Sequence, residues 1–197
     1  EYLFEKLRKE KWGLMGSIQP QGEFVNAIRD SMPDDGILVA GMTQVGYYSR
    51  WFYPTYAPRT YLTSSYFGNL GFAYPTALGA KLACPDKAVV TISGDGGFLF
   101  NSQELATAVM YGINVVAIVF NDNAYGNVLR DQRRRFNGRV VGSRLHNPDF
   151  VRLAEAYGAR GVRVTTPGQL SSELKGSLAI ERPTVIEVPV GEMPAPF

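Results

Sequence analysis

The sequence predicts an α/β fold: a doubly wound, mostly parallel sheet with helices on both faces. Three observations carry that prediction. From Gly22 onward, apolar runs of strand length alternate with segments of helical period. The strand-length runs are rich in β-branched residues. Neither an internal repeat nor a low-complexity tract points to another architecture. Strand and helix in strict alternation give parallel sheets with helices packed on each side.

The elements follow in order. In "EFVNAIRDSM", Phe24, Val25, Ile28 and Met32 form one helical stripe, and "GILVA" reads as a short buried strand. "FAYPTALGAKLAC" is a helix of small residues, with Pro75 in its first turn and Pro85 beyond its end. "AVVTIS" is a strand, "SQELATAVMYG" a helix stopping at Gly112, and "NVVAIVF" a further strand. "NPDFVRLAEAYGA" is a helix for which Asn147 is the expected N-cap and Gly158 the stop. "RGVRVT", "GQLSSELKGSLAI" and "PTVIEVPV" complete a strand, helix, strand series.

Bulk properties bound the function. With 197 residues and 45% hydrophobic content, the chain can bury one large core. The opening "EYLFEKLRKEKWGLMGSIQPQG" is charged, then turn-like, so residues 1–20 read as a connector from a preceding domain and 21–197 as the domain itself. On that reading the chain is a fragment or one subunit of something longer. A net charge of +2 argues against nucleic acid, and the one basic run, "RDQRRRFNGR", reads as a solvated helix end and loop. The single cysteine, Cys84, excludes an internal disulfide framework and a Cys-based zinc site. No apolar run is long enough to span a membrane and no signal peptide opens the sequence, so a soluble, cytoplasmic protein is expected.

In doubly wound sheets the ligand lies beyond the carboxyl ends of the strands. Two of those ends are polar in a complementary way. "AVVTIS" runs into Gly94-Asp95-Gly96-Gly97, and "NVVAIVF" into Asn121-Asp122-Asn123-Ala124-Tyr125-Gly126. If the two strands are parallel neighbours, Asp95 and Asp122 converge. Convergent carboxylates repel unless a cation or a shared proton lies between them. Mg²⁺ suits the role, because it takes one or two carboxylates and fills its other positions with phosphate oxygens and water. Gly94, Gly96 and Gly97 let the backbone approach an anion, and a helix from about Ser102 is expected to add its positive end. The spacing is neither a Walker loop nor a dinucleotide fingerprint.

The stretch "GDGGFLFNSQELATAVMYGINVVAIVFNDNAYG" resembles the thiamine-diphosphate signature, with its G-D-G start and N-D-N end. "FGNLGFAYPTALGAKLACPDK" and "HNPDFVRLAEAYGARGVRV" are similar to segments of acetolactate synthases and related decarboxylases. The resemblance covers roughly residues 20 to 190, the C-terminal diphosphate-binding domain of these enzymes. It implies thiamine diphosphate and Mg²⁺ as cofactors, with Asp95, Asp122 and the Ala124 carbonyl as metal ligands. Gly94, Gly96, Gly97, Tyr125, Gly126 and Asn127 would line the diphosphate. Leu70 would stand where the family places the apolar wedge beneath the cofactor. Thr43, Gln44 and Val45 would meet the diphosphate from the other side.

Two residues depart from the family pattern. Asp122 stands where many relatives carry Asn, and Asp131 where acetolactate synthases carry a specificity-determining Trp. The general decarboxylase reading therefore stands above the biosynthetic synthase reading. The resemblance also implies a 2-oxo acid substrate, a catalytic glutamate from a separate pyrimidine-binding domain, and a homo-oligomer. Glu104 matches a structural glutamate, and His146 reads as a loop or cap residue. The aromatic stretch "YYSRWFYPTY" either lines a cavity or packs against that other domain. Two alternatives stay open: one subunit of a heteromeric decarboxylase, and a non-catalytic phosphate- and metal-binding module.

Overall fold

The computed structural model describes residues 2–15, 18–64 and 66–195. Its strands are β1 (Ile37–Ala40), β2 (Tyr61–Thr63), β3 (Val89–Gly94), β4 (Val116–Asn121), β5 (Arg160–Arg163) and β6 (Thr184–Pro189). Its helices are α1 (Tyr2–Met15), α2 (Gln21–Arg29), α3 (Gln44–Phe52), α4 (Ala73–Ala83), α5 (Asp95–Leu99), α6 (Glu104–Met110), α7 (Gly126–Arg135), α8 (Phe150–Tyr157) and α9 (Pro167–Leu178). All six strands form one parallel sheet in the order β2-β1-β3-β4-β6-β5.

The central strands β1, β3, β4 and β6 are mostly apolar on both faces because both faces are covered. Leu38, Val90, Ile92, Ile118, Phe120, Ile186 and Val188 pack with Phe24, Val25 and Ile28 of α2, Val45 and Tyr48 of α3, and Leu170 and Leu174 of α9. Their sequence neighbours Ile37, Val39, Val89, Ala117, Val119 and Val185 point the other way. They meet Ala77 and Leu78 of α4, Leu105 and Ala108 of α6, and Phe150 and Ala154 of α8. The strand period of two thus divides one apolar run between two cores. The predicted doubly wound fold is the one observed.

Four local features differ from the sequence reading. Residues 2–15 form a helix, α1, whose Tyr2, Leu3, Phe4 and Leu7 are exposed. The segment after β1 forms α3, where Val45 and Tyr48 bury at helical spacing and Phe52 packs against them. The three-residue edge strand β2 follows it. Last, α8 is capped by Asp149 rather than Asn147. The Asp149 side chain accepts from the Val151 and Arg152 amides, at 3.0 and 3.1 Å through Oδ1. A carboxylate complements the helix dipole better than a neutral amide, and Asn147 is engaged elsewhere. Gly158 ends α8 in the left-handed region, φ 89°, as expected of a C-terminal glycine.

Candidate functional site

The winding of the sheet opens a crevice between β1 and β3. From β1 the chain crosses through α3 to β2 on one side, whereas from β3 it proceeds to β4 on the other. Such a switch point is where ligands bind in open α/β sheets. Helices α3, α5 and α7 begin directly at the carboxyl ends of this region, at Gln44, Asp95 and Gly126. Helix α6 starts at Glu104, and neither Ser102 nor the first turn of α6 lines the crevice. The converging amides are instead those of α3, α5 and α7, a setting that favours an anion.

A cleft of about 230 Å³ occupies this position. Of the residues singled out in the sequence, Thr43, Gln44, Leu70, Gly94, Asp95, Gly96, Gly97, Asp122, Ala124, Tyr125, Gly126 and Asn127 line it. Val45 does not: its side chain is fully buried in the core with Leu38 and Tyr48. One helical step past Gln44 turns the side chain from the cleft to the sheet. Met42, Tyr47, Gly68 and Val128 complete the lining. Tyr47 was legible only once residues 44–52 are seen as a helix, since it then falls one turn beyond Thr43 and Gln44. His146 lies exposed in a loop, and Glu104 accepts from its helix neighbour Thr107.

Strands β3 and β4 are parallel neighbours with Gly94 opposite Phe120, so the next residues, Asp95 and Asn121, leave the sheet side by side. Asp95 is only 2% exposed. Its Oδ1 accepts from the Gly96 amide at 2.8 Å and its Oδ2 from Asn147 Nδ2 at 2.6 Å. Burial pushes its carboxyl above the ordinary value, against the pull of those bonds and of the Ala124 and Asn123 amides. Asp122 Oδ1 accepts from the Ala124 amide at 3.2 Å. Burial, followed by the charge of Asp95, pushes the Asp122 carboxyl up to about 6. Glu192 adds a third charge of the same sign.

The residues present fit a hard cation held beside a diphosphate. Among the described residues no three His, Cys, Asp or Glu gather as a metal cluster, which leaves two carboxylates and carbonyl oxygen, a donor set suited to Mg²⁺. Asn123 takes a left-handed φ of 55°, turning the chain at Ala124. The bonds flanking the bridge between Ala124 and Arg144 use the carbonyls of Ser143 and Asn123, not that of Ala124. The glycines let the cradle's own side chains pack close to the backbone. A Cβ on Gly96 would sit 2.4 Å from the Tyr125 ring, one on Gly126 2.6 Å from Asp122 Oδ2, and one on Gly94 3.3 Å from Thr43 Cβ. Gln44 Nε2 donates to Asn127 Oδ1 at 2.8 Å, and Gln44 Oε1, an acceptor buried at the cleft wall, has no partner among the described residues.

Residues 41–188 match the family described as "Thiamine pyrophosphate enzyme, C-terminal TPP binding domain". The chain belongs to this family. Among its relatives is the "Acetolactate synthase" of Bacillus subtilis strain 168, 39% identical over 85% of this chain and 29% of that protein. The "Acetolactate synthase large subunit" of Haemophilus influenzae is 36% identical over 90% of this chain and 31% of that one. The chain thus spans about three-tenths of the length of these relatives. Among solved structures, the "Rhodococcus jostii RHA1 thiamine diphosphate-dependent 4-hydroxybenzoylformate decarboxylase" superposes with a TM-score of 0.79 at 34% identity, over 87% of this chain and 32% of that chain. The residues that line the crevice, from Met42 to Val128, all fall within the matched segment.

The Asp122 carboxyl gives a pH-dependent prediction for this TPP-binding domain. Its folded value, about 6, lies above the ordinary 3.8. Between those values the folded chain keeps a proton that the unfolded chain has lost. Stability from this group therefore falls as pH rises through the window, and the penalty is complete above it. Asp122→Asn removes the charge. In chelator at pH 7.5 the variant should be more stable than the parent by about 1–2 kcal/mol, solvent at the half-buried carboxylate screening part of the full shift. Near pH 4 the two should unfold together. Urea denaturation at both pH values tests this, and a variant less stable at pH 7.5 would contradict it.

Proposed function

We propose that this chain holds the diphosphate and Mg²⁺ end of thiamine diphosphate in a 2-oxo-acid decarboxylase or carboligase. The observation that carries the reading is the convergence of Asp95 and Asp122 on a cleft ringed by the first turns of α3, α5 and α7. Asp95, Asp122 and the Ala124 carbonyl would hold the cation, and first-turn amides with Thr43, Gln44 and Asn127 would hold the diphosphate. Leu70, 38% exposed at the cleft, would support the body of the cofactor. When bound, thiamine diphosphate supplies the electron sink for breaking the bond to the carboxylate of a 2-oxo acid.

The chain's own residues bind and orient. Gly94, Gly96 and Gly126 leave room for the side chains that shape the cleft: Thr43 packs against Gly94, Tyr125 and Leu145 against Gly96, and Asp122 against Gly126. The catalytic glutamate would come from a separate pyrimidine-binding domain in a homo-oligomer, and cytoplasmic placement fits such an enzyme. Trp51, Tyr56, Tyr66, Phe67 and Phe100 are exposed and suit contact with that domain. Asp131 is exposed, pairs with Arg135 at 3.7 Å and does not line the cleft, so it bears on neither the decarboxylase nor the synthase form of this reading. Among the described residues no helix is long and apolar enough to cross a membrane.

The test is CO₂ release from pyruvate and from benzoylformate with thiamine diphosphate and Mg²⁺. The chain alone should release none, and addition of a pyrimidine-binding domain in trans should restore release. No release in either case, with ATP displacing thiamine diphosphate, would replace this reading by that of a non-catalytic phosphate-binding module.

A further inference from the structure

A line of side chains connects Asp95 to the edge of the sheet. Asn147 Nδ2 donates to Asp95 Oδ2 at 2.6 Å and to Asn121 Oδ1 at 2.8 Å. Asn121 Nδ2 donates in turn to Glu187 Oε1 at 2.8 Å. Glu187 Oε2 accepts from Arg163 Nε at 2.9 Å and pairs with its Nη2 at 2.8 Å. Arg163 also reaches Asp149, the cap of α8, at 3.0 Å. The sheet makes this line possible. Glu187 stands opposite Arg163 across β5 and β6 and opposite Val119 across β4 and β6. Asn121, two residues beyond Val119, shares that face.

The line has only one polarity. A carboxylate accepts and does not donate, so Glu187 requires the NH₂ group of Asn121. The Asn121 oxygen then faces Asn147, which must answer with its own NH₂. That nitrogen meets oxygens of both Asn121 and Asp95, so turning either amide over would set oxygen against oxygen. Glu187 is 3% exposed on a strand whose neighbours Val185 and Ile186 are apolar. A buried charge there has no packing advantage over a hydrophobic residue of similar size. Its partners give it a use.

We propose that Asn147, Asn121 and Glu187 are positioning residues for the cation site: the Glu187 carboxylate, held by Arg163, sets the orientation of two amides that fix the Asp95 carboxylate. This rests on the reading of Asp95 as a cation ligand. The Gly96 amide tethers one oxygen of Asp95 and Asn147 tethers the other, so the plane of the carboxylate is held from both sides. Removing Asn147 frees rotation about its terminal bond, and the site loses pre-organisation rather than a ligand.

The experiment is calorimetric titration of MgCl₂ into the chain at saturating thiamine diphosphate, for the parent, Asn147→Ala, Asn121→Ala and the double variant. Each is first checked for an unchanged circular dichroism spectrum. Each single variant should lose about tenfold or more in Mg²⁺ affinity, as residues that orient a metal ligand commonly do. The double variant should lose no more than the weaker single, because both cut the same line. With Mn²⁺ in place of Mg²⁺, the spin-resonance spectrum of the bound ion should change in Asn147→Ala, which a loss of global stability would not produce. Single variants within twofold of the parent, or losses that multiply in the double, would overturn the proposal. If Asn121→Ala does not fold, Glu187→Gln replaces it; this keeps the shape and removes the charge, and affinity equal to the parent would again overturn the proposal. Asp95→Ala is the reference. Unchanged Mg²⁺ affinity in Asp95→Ala would remove the cation-site reading itself, whereas loss there with none in Asn147→Ala would remove the positioning role alone.

Discussion

Asp95→Ala is expected to abolish Mg²⁺-dependent binding of thiamine diphosphate, with a fall in affinity on the order of a hundredfold or more, or about 3 kcal/mol. The site has two carboxylates, and Asp95 is the more deeply buried of them. Its removal leaves the cation with one carboxylate, that of the half-buried Asp122. It also strands the Gly96 amide, at a cost of roughly 1–3 kcal/mol when unsatisfied, and leaves Asn147 Nδ2 with only its bond to Asn121. Thermal stability should therefore fall together with affinity. Asp95→Asn separates the two effects, since it keeps an acceptor in a side chain of the same shape while removing the charge. It should bind as poorly as Asp95→Ala and unfold nearer the parent. Calorimetry on both variants, each compared with its melting temperature, is the check, and Asp95→Asn with parental affinity would count against a cation held by charge.

Gly96→Ala is expected to cost about 1–3 kcal/mol of binding, tenfold to a hundredfold, without unfolding the chain. The added carbon would stand 2.4 Å from Tyr125 Cε1, 2.8 Å from its Cδ1 and 3.0 Å from Leu145 Cδ1. The ring must therefore move, and Tyr125 is itself part of the cleft lining. Gly96 carries no positive φ, so backbone strain does not enter, and the effect belongs to the space alone. Gly112→Ala is a useful contrast. Gly112 has φ 61° but open space around the added carbon, so it should lower stability and leave affinity unchanged. Equal affinity in Gly96→Ala and the parent would mean that the position of the Tyr125 ring does not bear on the ligand.

The central sheet was legible because its strands are buried on both faces and so read as unbroken apolar runs, as in "NVVAIVF". Asp95 and Asp122 were legible for a related reason, since a polar residue at the end of such a run marks the sheet's edge. The segment 44–52 was obscured by its composition. Gly, Tyr and Trp are poor helix formers, and the burial of Val45 and Tyr48, with Phe52 packed against them, outweighs that preference. The side chain of Val45 turns from the cleft to the core for the same reason, since it lies one step into this helix. Asn147 was read as a cap from its place before Pro148. Nothing local distinguishes a capping Asn from one that reaches two other strand ends, and only the sheet order brings Asp95 and Asn121 within its range. The partners of Glu187 were hidden likewise, since β5 and β6 become neighbours through pairing rather than through spacing along the chain.

Calorimetric titration of thiamine diphosphate into the chain, with MgCl₂ present and again with the metal chelated, tests the cation site at its root. Saturable binding at one site is expected with Mg²⁺, and loss of that binding in chelator. Binding of equal strength in chelator, or no binding at any Mg²⁺ concentration, would contradict the assignment of Asp95 and Asp122 to a cation that joins protein to diphosphate.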